Sequence, residues 1–507
     1  MTDFIEKIKQ HSVTDPDGIF YEYVCPGEPV LKMTWKELWD KACRLASYLD
    51  KNLKTDTPIV IYGHKDPMMI VCFLGSLLSG RGYCPVDMSV PADRVKGIVE
   101  NLKPELILSL YDETMPEGSM PSEQIRGIID GEPYSDMSEK AIKPGDVCYI
   151  IYTSGSTGVP KGVQITGECL DNFIRWGMGL GEGIKEGEKP VFLNQAPFSF
   201  DLSVMDLYLS LVSGGTLHVL PKRVQADIGL LMDSFEGSGI NIWVSTPSFA
   251  EICLSDKRFS QELLPDMRRF LFCGETLPPA VVRRLRERFP KAEVVNTYGP
   301  TESTVAVTDV VITEDVLELH ESLPVGRIKP GSCLEIRDEN GKALPEGESG
   351  EIIILGDTVS IGYRNLPEQS AKAFFEEDGV RGYRTGDKGY LKDGLLFYQG
   401  RIDLQIKLHG YRIELEDIEN NLMKIKGVEK ATVIPVEKDG KVASLTACII
   451  PDVMPESAFK AGQELRAEAK NFLPEYMIPK KFLFFEELPM TVNGKTDRRA
   501  LLAQIKK

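Results

Sequence analysis

The stretch TSGSTGVPKG, residues 153–162, concentrates groups that can hold phosphate. Thr153, Ser154, Ser156 and Thr157 bring hydroxyl donors, and Lys161 adds a cation. Gly155 and Gly158 free the backbone to turn its N–H groups toward one point. Such a nest suits the oxygens of a polyphosphate. It is not a Walker loop, because G-x-x-x-x-G-K-[ST] is missing, and GMGLGEG at 177–183 misses the dinucleotide fingerprint. Read alone, such a loop is usually a flexible linker or turn. Two carboxylates further on raise the same kind of question. Asp201 stands in the apolar run FSFDLSVMDLY (198–208), where burial without a cation would be costly; a substrate ammonium would supply one. Its plainer reading is the N-cap of the helix that follows. Asp387 ends YRTGD (383–387) and can accept hydrogen bonds from two neighbouring hydroxyls, or it is a turn aspartate before Lys388-Gly389.

The elements that must position these groups alternate along most of the chain. VCYIIY (147–152) reads as a strand and GECLDNFIRW (167–176) begins a helix, which places the loop between strand and helix. TPIVIYG (57–63), ELILSL (105–110), INIWVST (240–246), RRFLFCG (268–274) and AEVVNTY (292–298) read as further strands. Amphipathic helices such as PPAVVRRLRERF lie between them, which argues for parallel sheets covered by helices. After about residue 330 the pattern changes to hairpins, with turns at Glu339-Asn340-Gly341 and Glu346-Gly347. Near 403 it changes again, to a small α+β region with the helix ELEDIENNLMKI, a hairpin about Asp439-Gly440 and the strand KKFLFFEEL.

The 507 residues carry a net charge of −17, which repels nucleic acid and anionic membranes; neither is an expected partner. An anionic substrate must therefore meet local Lys, Arg or N–H groups. The ten cysteines form no C-x-x-C pair, so reduced, buried thiols are expected rather than disulfides or a zinc site. The N-terminus MTDFIEKIKQ has no apolar signal core, and a cytoplasmic monomer is expected.

The ordered pattern [ST]-S-G-[ST]-T-G-x-P-K-G resembles the phosphate loop of the adenylate-forming superfamily, and further motifs follow in the family's order. NTYGPTE (296–302) resembles its adenine and metal motif, YRTGD its ribose motif, GRIDLQIKLHGYRIE (400–414) its interdomain hinge, and NGKTDR (493–498) the segment of its catalytic lysine. The resemblance covers nearly the whole chain. It implies an α/β fold with a large AMP-binding domain over 1–402, including a β-rich subdomain at about 325–400. A small mobile α+β domain over 403–507, hinged at Asp403, would complete it. It also implies ATP and Mg²⁺ as cofactors. Asn296, Thr297, Tyr298, Gly299, Pro300, Thr301, Glu302, Asp387, Tyr398, Gln399, Gly400 and Arg401 would then join the loop around the nucleotide. Tyr298 would stack on adenine, Thr301 reach the α-phosphate, Glu302 bind the metal, and Asp387 with Arg401 hold the ribose. Lys495 would bridge the carboxylate and the α-phosphate, offsetting the repulsion of two anions. Taken without the family, Tyr298 is core packing, Arg401 a surface arginine and Lys495 one of many tail lysines.

The strings FLNQAPFSFDLSVMDLY, TPSFAEICL, FLFCGETLP and NTYGPTESTVAVT resemble the D-alanine-activating branch of this superfamily. There the aspartate matching Asp201 holds the substrate amine, and the cysteine matching Cys273 shapes the space beside the α-carbon in favour of the D-enantiomer. The implied pocket wall comprises Leu202, Met205, Cys273, Thr297, Val305 and Ala306, an alanine-sized space. For Cys273 the plainer reading is a core thiol. The implied reaction turns D-alanine and ATP into D-alanyl-adenylate. The acyl group then passes to the phosphopantetheine thiol of a separate D-alanyl carrier protein, for D-alanylation of lipoteichoic acid. The carrier would dock on a local basic patch, with Arg81 or Lys222-Arg223 as candidates. Two rivals remain: an acyl-CoA synthetase for a short acid, and a catalytically silent binding relative.

Overall fold

The short apolar strands of the sequence pair side by side in parallel sheets. A computed structural model describes residues 1–131, 134–155, 160–402, 405–408, 410–438, 441–489 and 496–505. The chain divides into two units. The first comprises Met1–Asp87, Leu102–Ile151 and Val163–Ile402; the second comprises Met88–Asn101, Tyr152–Gly162 and Asp403–Lys507.

In the first unit a nine-stranded sheet runs Arg327–Ile328, Thr308–Val311, Glu293–Tyr298, Arg269–Phe272, Ile242–Ser245, Val191–Asn194, Thr216–Val219, Ile19–Tyr23, Leu31–Thr34. The six strands from Glu293–Tyr298 to Ile19–Tyr23 are parallel, and the remaining three add antiparallel edges. Alternate residues face two different cores: Trp243, Phe270 and Phe272 enter one, while Val244, Leu271 and Val295 enter the other. A sheet covered on both faces needs apolar residues at successive positions, which is why these strands read as continuous apolar runs. A five-stranded sheet is ordered Ile107–Ser109, Ile59–Gly63, Tyr83–Asp87, Val147–Thr153, Lys161–Thr166. The hairpin-rich region forms an antiparallel sheet of Ser332–Arg337, Gly350–Gly356, Val380–Lys392 and Phe374–Glu377, with Leu395–Arg401 also on Val380–Lys392.

The second unit holds the hairpin of Gln405–Leu408 with Tyr411–Glu414 and a sheet of Val428–Lys438, Lys441–Pro451 and Lys481–Phe484. The helices Leu415–Leu422, Ala458–Ala469 and Arg498–Ile505 belong to it as well. Arg94 bridges within this unit to Asp417 at 2.8 Å, which explains why residues 88–101 group with the C-terminal part.

One expectation needs correction. The glycine loop does not lead from strand to helix; it joins Val147–Thr153 to the strand Lys161–Thr166, its neighbour in the sheet. KGVQIT buries Val163 and Ile165 in alternation, and the helix starts only at Gly167, where the Thr166 side chain accepts from Cys169 N. All ten cysteines are free thiols, nine buried and Cys333 exposed. No helix among the described residues is long and apolar enough to cross a membrane.

Candidate active site

Two parallel strands and one tight turn carry the core of the site in the first unit. Glu293–Tyr298 ends at Tyr298, and Gly299-Pro300 leads into the 3₁₀ turn Thr301–Ser303. Thr304 and Val305 follow at φ +60° and +68°. Left-handed backbone at two successive β-branched residues costs on the order of 1–2 kcal/mol each, so the surroundings must enforce it. They do: Ala306 N donates to Thr304 O at 2.8 Å, and Val307 N to Tyr298 O at 2.8 Å, closing the loop on itself. A Cβ on Gly299 would stand 2.5 Å from Ala306 Cα, so only glycine admits this return.

The turn and the residues just after it meet three side chains from elsewhere in the chain. Thr301 Oγ1 donates to Asp201 Oδ2 at 2.6 Å. Asp201 is buried and precedes the helix Leu202–Ser213, but its carboxylate makes no capping bond there, so the N-cap reading fails. Tyr363 Oη donates to Glu302 Oε1 at 2.8 Å, and Glu302 is fully buried. Cys273, just past the strand Arg269–Phe272, points its Sγ at Val305 O, 3.6 Å away. Thr297 Oγ1 donates to Phe272 O and Asn296 Nδ2 to Pro324 O, both at 2.8 Å, so these two side chains brace the strand end.

Asp387 is not a turn residue. It lies inside the strand Val380–Lys392, opposite Arg401 in register, and is 3% exposed. Tyr298 Oη donates to its Oδ2 at 2.6 Å, and Arg401 Nη1 to its Oδ1 at 2.9 Å. Arg401 Nη1 also donates to Thr385 O at 2.6 Å, and Thr385 Oγ1 accepts from Asp387 N at 2.9 Å. The surface reading of Arg401 fails with it: a rigid guanidinium fork orients the carboxylate. Burial and the adjacent Asp387 charge push the Tyr298 phenol well up, so it remains a donor. The Tyr398 ring stands 6.0 Å from that of Tyr298. Gly400 adopts φ +109°. Gln399 is exposed and takes a hydrogen bond from Ser349, so its side chain does not join this group.

Thr153, Ser154, Gly155 and Lys161 belong to the second unit. There Ser154 Oγ donates to Arg412 O at 2.8 Å and accepts from Glu414 N at 3.2 Å, both on the strand Tyr411–Glu414. Ser156, Thr157, Gly158, Asp403 and Lys495 lie outside the described residues. Of the suggested docking residues, Arg81 is buried and donates to Thr55 O and Ser79 O, so it offers no surface; Arg223 is paired with Glu28 at 2.5 Å. The sequence reading missed Tyr363, which orients Glu302, and Thr385, which orients Asp387 and Arg401. Thr385 sits within the quoted YRTGD, whereas Tyr363 lies 61 positions from Glu302 and has no local signal.

This fold is that of the adenylate-forming enzymes. Family models agree: residues 10–364 match the AMP-binding enzyme family and residues 417–495 its C-terminal domain. The chain belongs to the AMP-binding enzyme family. D-alanine--D-alanyl carrier protein ligases of Bacillus cereus (strain Q1) and Bacillus thuringiensis (strain Al Hakam) are each 46% identical over 507 residues, spanning 99% of this chain and 99% of theirs. Among solved structures, an NRPS protein containing adenylation and PCP domains, bound to a vinylsulfonamide inhibitor, superposes with a TM-score of 0.82 at 26% identity, over 99% of this chain and 84% of that one. A Vibrio cholerae adenylation domain in complex with glycyl-adenosine-5'-phosphate gives 0.83 at 23% identity, over 100% and 98%, and shares the fold.

Proposed function

We propose that this chain activates D-alanine with ATP and transfers the D-alanyl group to the phosphopantetheine thiol of a separate carrier protein. The product serves D-alanylation of lipoteichoic acid. The observation that carries the reading is Asp201: a buried carboxylate that does not cap its helix and instead meets Thr301 of the nucleotide motif. A plain carboxylic acid gives such a group nothing to bind, whereas an α-amino acid brings an ammonium. The likeness to the D-alanine ligases supports the choice of amino acid.

In the first step a carboxylate oxygen of D-alanine attacks the α-phosphorus of ATP, and pyrophosphate leaves. Asp201 holds the ammonium, Cys273 and Val305 bound the methyl side, and Asp387, oriented by Arg401 and Tyr298, takes the ribose hydroxyls. Glu302, a buried hard-oxygen donor, fits a Mg²⁺ site, since that ion is commonly held by one or two carboxylates with the substrate phosphates. Bound there, the ion would neutralise phosphate charge. Lys495 stabilises the charge that develops as the two anions join. In the second step the carrier thiolate attacks the acyl carbon, the thioester forms, and AMP leaves. Asp403 serves as the hinge between the two half-reactions.

Pyrophosphate exchange assayed side by side with D-Ala, L-Ala, Gly and D-Ser tests the substrate. D-alanine is expected to give the highest kcat/KM. A preference for L-Ala overturns the D-alanine assignment, and exchange driven equally by propionate overturns the amino-acid assignment.

A further inference from the structure

The first unit buries a lysine that the reaction above does not use. Lys65 is 2% exposed and sits at the elbow between the strand Ile59–Gly63 and the helix Pro67–Leu78. Tyr21 Oη fixes its backbone by donating to Lys65 O at 2.5 Å. Its ammonium reaches the other sheet: it donates to Asn194 Oδ1 and Ala196 O, and stands 4.6 Å from the centre of the Phe198 ring. Asn194 ends the strand Val191–Asn194, and its Nδ2 donates to Asp206 Oδ1 at 2.7 Å. Asp206 lies on the helix Leu202–Ser213 and is fully buried.

Every contact of the ammonium falls on the segment that carries Asp201. Residues 194, 196 and 198 precede it, and Asp206 lies one turn into the helix that follows it. The ammonium thus anchors the flank before the carboxylate directly, and the flank after it through the Asn194 amide. Removing it would leave Asn194 Oδ1 and Ala196 O as buried acceptors without this donor, which costs more than a hydrogen bond is worth and lets the segment shift. A displacement of an ångström at the binding group is enough to matter for catalysis.

We propose that Lys65 is a positioning residue for the amino-acid site: its buried ammonium holds residues 194–206 so that the Asp201 carboxylate stands where the substrate ammonium arrives. This rests on the reading of Asp201 given above. The test uses the full chain and D-alanine-dependent pyrophosphate exchange. Lys65→Met keeps an unbranched side chain one atom shorter and removes its charge and its donors. KM for D-alanine is expected to rise roughly tenfold, while kcat and KM for ATP change less than about twofold. An unchanged KM for D-alanine overturns the proposal. So does a parallel loss in kcat, both KM values and melting temperature, which marks a merely structural lysine. Should Lys65→Met not accumulate as folded protein, Asn194→Ala removes one anchor and is expected to shift KM for D-alanine in the same direction by a smaller factor. Asp201→Ala separates the two readings. If it leaves KM for D-alanine intact, the amino-acid site itself is misplaced; if it abolishes saturation by D-alanine while Lys65→Met is silent, only the role of Lys65 fails.

Discussion

Two buried cation–carboxylate arrangements in the first unit handle charge in different ways. At Asp387 the partner is direct: Arg401 lies 2.9 Å away, and Tyr298 and Thr385 complete the shell. At Asp206 the cation is reached only through the neutral amide of Asn194. An amide passes on hydrogen bonds but not charge, and attraction between the ends weakens with distance. Burial therefore dominates there: it pulls the Lys65 ammonium down to about 7 and pushes the Asp206 carboxyl up to about 8, against their mutual attraction. The direct pair suits the ribose site proposed for Asp387, where a fixed anion is needed. The bridged pair suits a fastening, where geometry counts and net charge does not.

The largest effect that would break this contrast is expected at Arg401. Arg401→Ala leaves a buried carboxylate uncompensated and should cost about 3–5 kcal/mol, read as a lower denaturation midpoint, together with weaker ATP binding. A loss under about 1 kcal/mol would show that the pair is no more than a surface contact.

The next effect is a pH dependence. Below about pH 7 folded and unfolded chains both carry the Lys65 proton, and the folded state bears the full penalty of burying it. As pH rises from about 7 toward the ordinary value of 10.5, the folded chain sheds that proton first, the penalty fades and stability grows. Lys65→Met has no such proton. Its stability relative to the parent should therefore fall by roughly 2 kcal/mol between pH 7 and 9 in urea titrations. Loss of the lysine also raises Asp206 further, which adds to the fall in the same direction. A constant difference would mean that Lys65 keeps its ordinary protonation.

The smallest effect concerns the uncharged wall. Cys273→Ala removes the sulfur that lies against Val305 O and should narrow the preference for D- over L-alanine about tenfold, with little change in stability. An unchanged ratio would return Cys273 to the role of a packing residue.

Much of this was legible in the chain because it is local. Apolar runs bounded by Gly and Pro marked the parallel strands, and NTYGPTE and YRTGD marked the turn that carries Thr301 and Glu302 and the strand that carries Asp387. The signals that failed were those where neighbours compete. KGVQIT is too short to announce a strand before a helix with a good cap, so the sequence suggests a glycine loop leading straight into that helix. Asp201 looked like an N-cap because the residue before a helix usually is one, yet Thr301 claims it from 100 positions away.

Residue types and their spacing alone put candidates in view: a glycine- and hydroxyl-rich loop able to hold phosphate, and an aspartate in an apolar setting. Only the tertiary structure decided which carboxylate met which partner, that Arg401 braces Asp387, and that Lys65 crosses from one sheet to the other. The physical reason is range. Turn and strand preferences act over a few residues, whereas a buried charge is satisfied by whatever donor the packed chain brings within about 3 Å, at any separation in sequence.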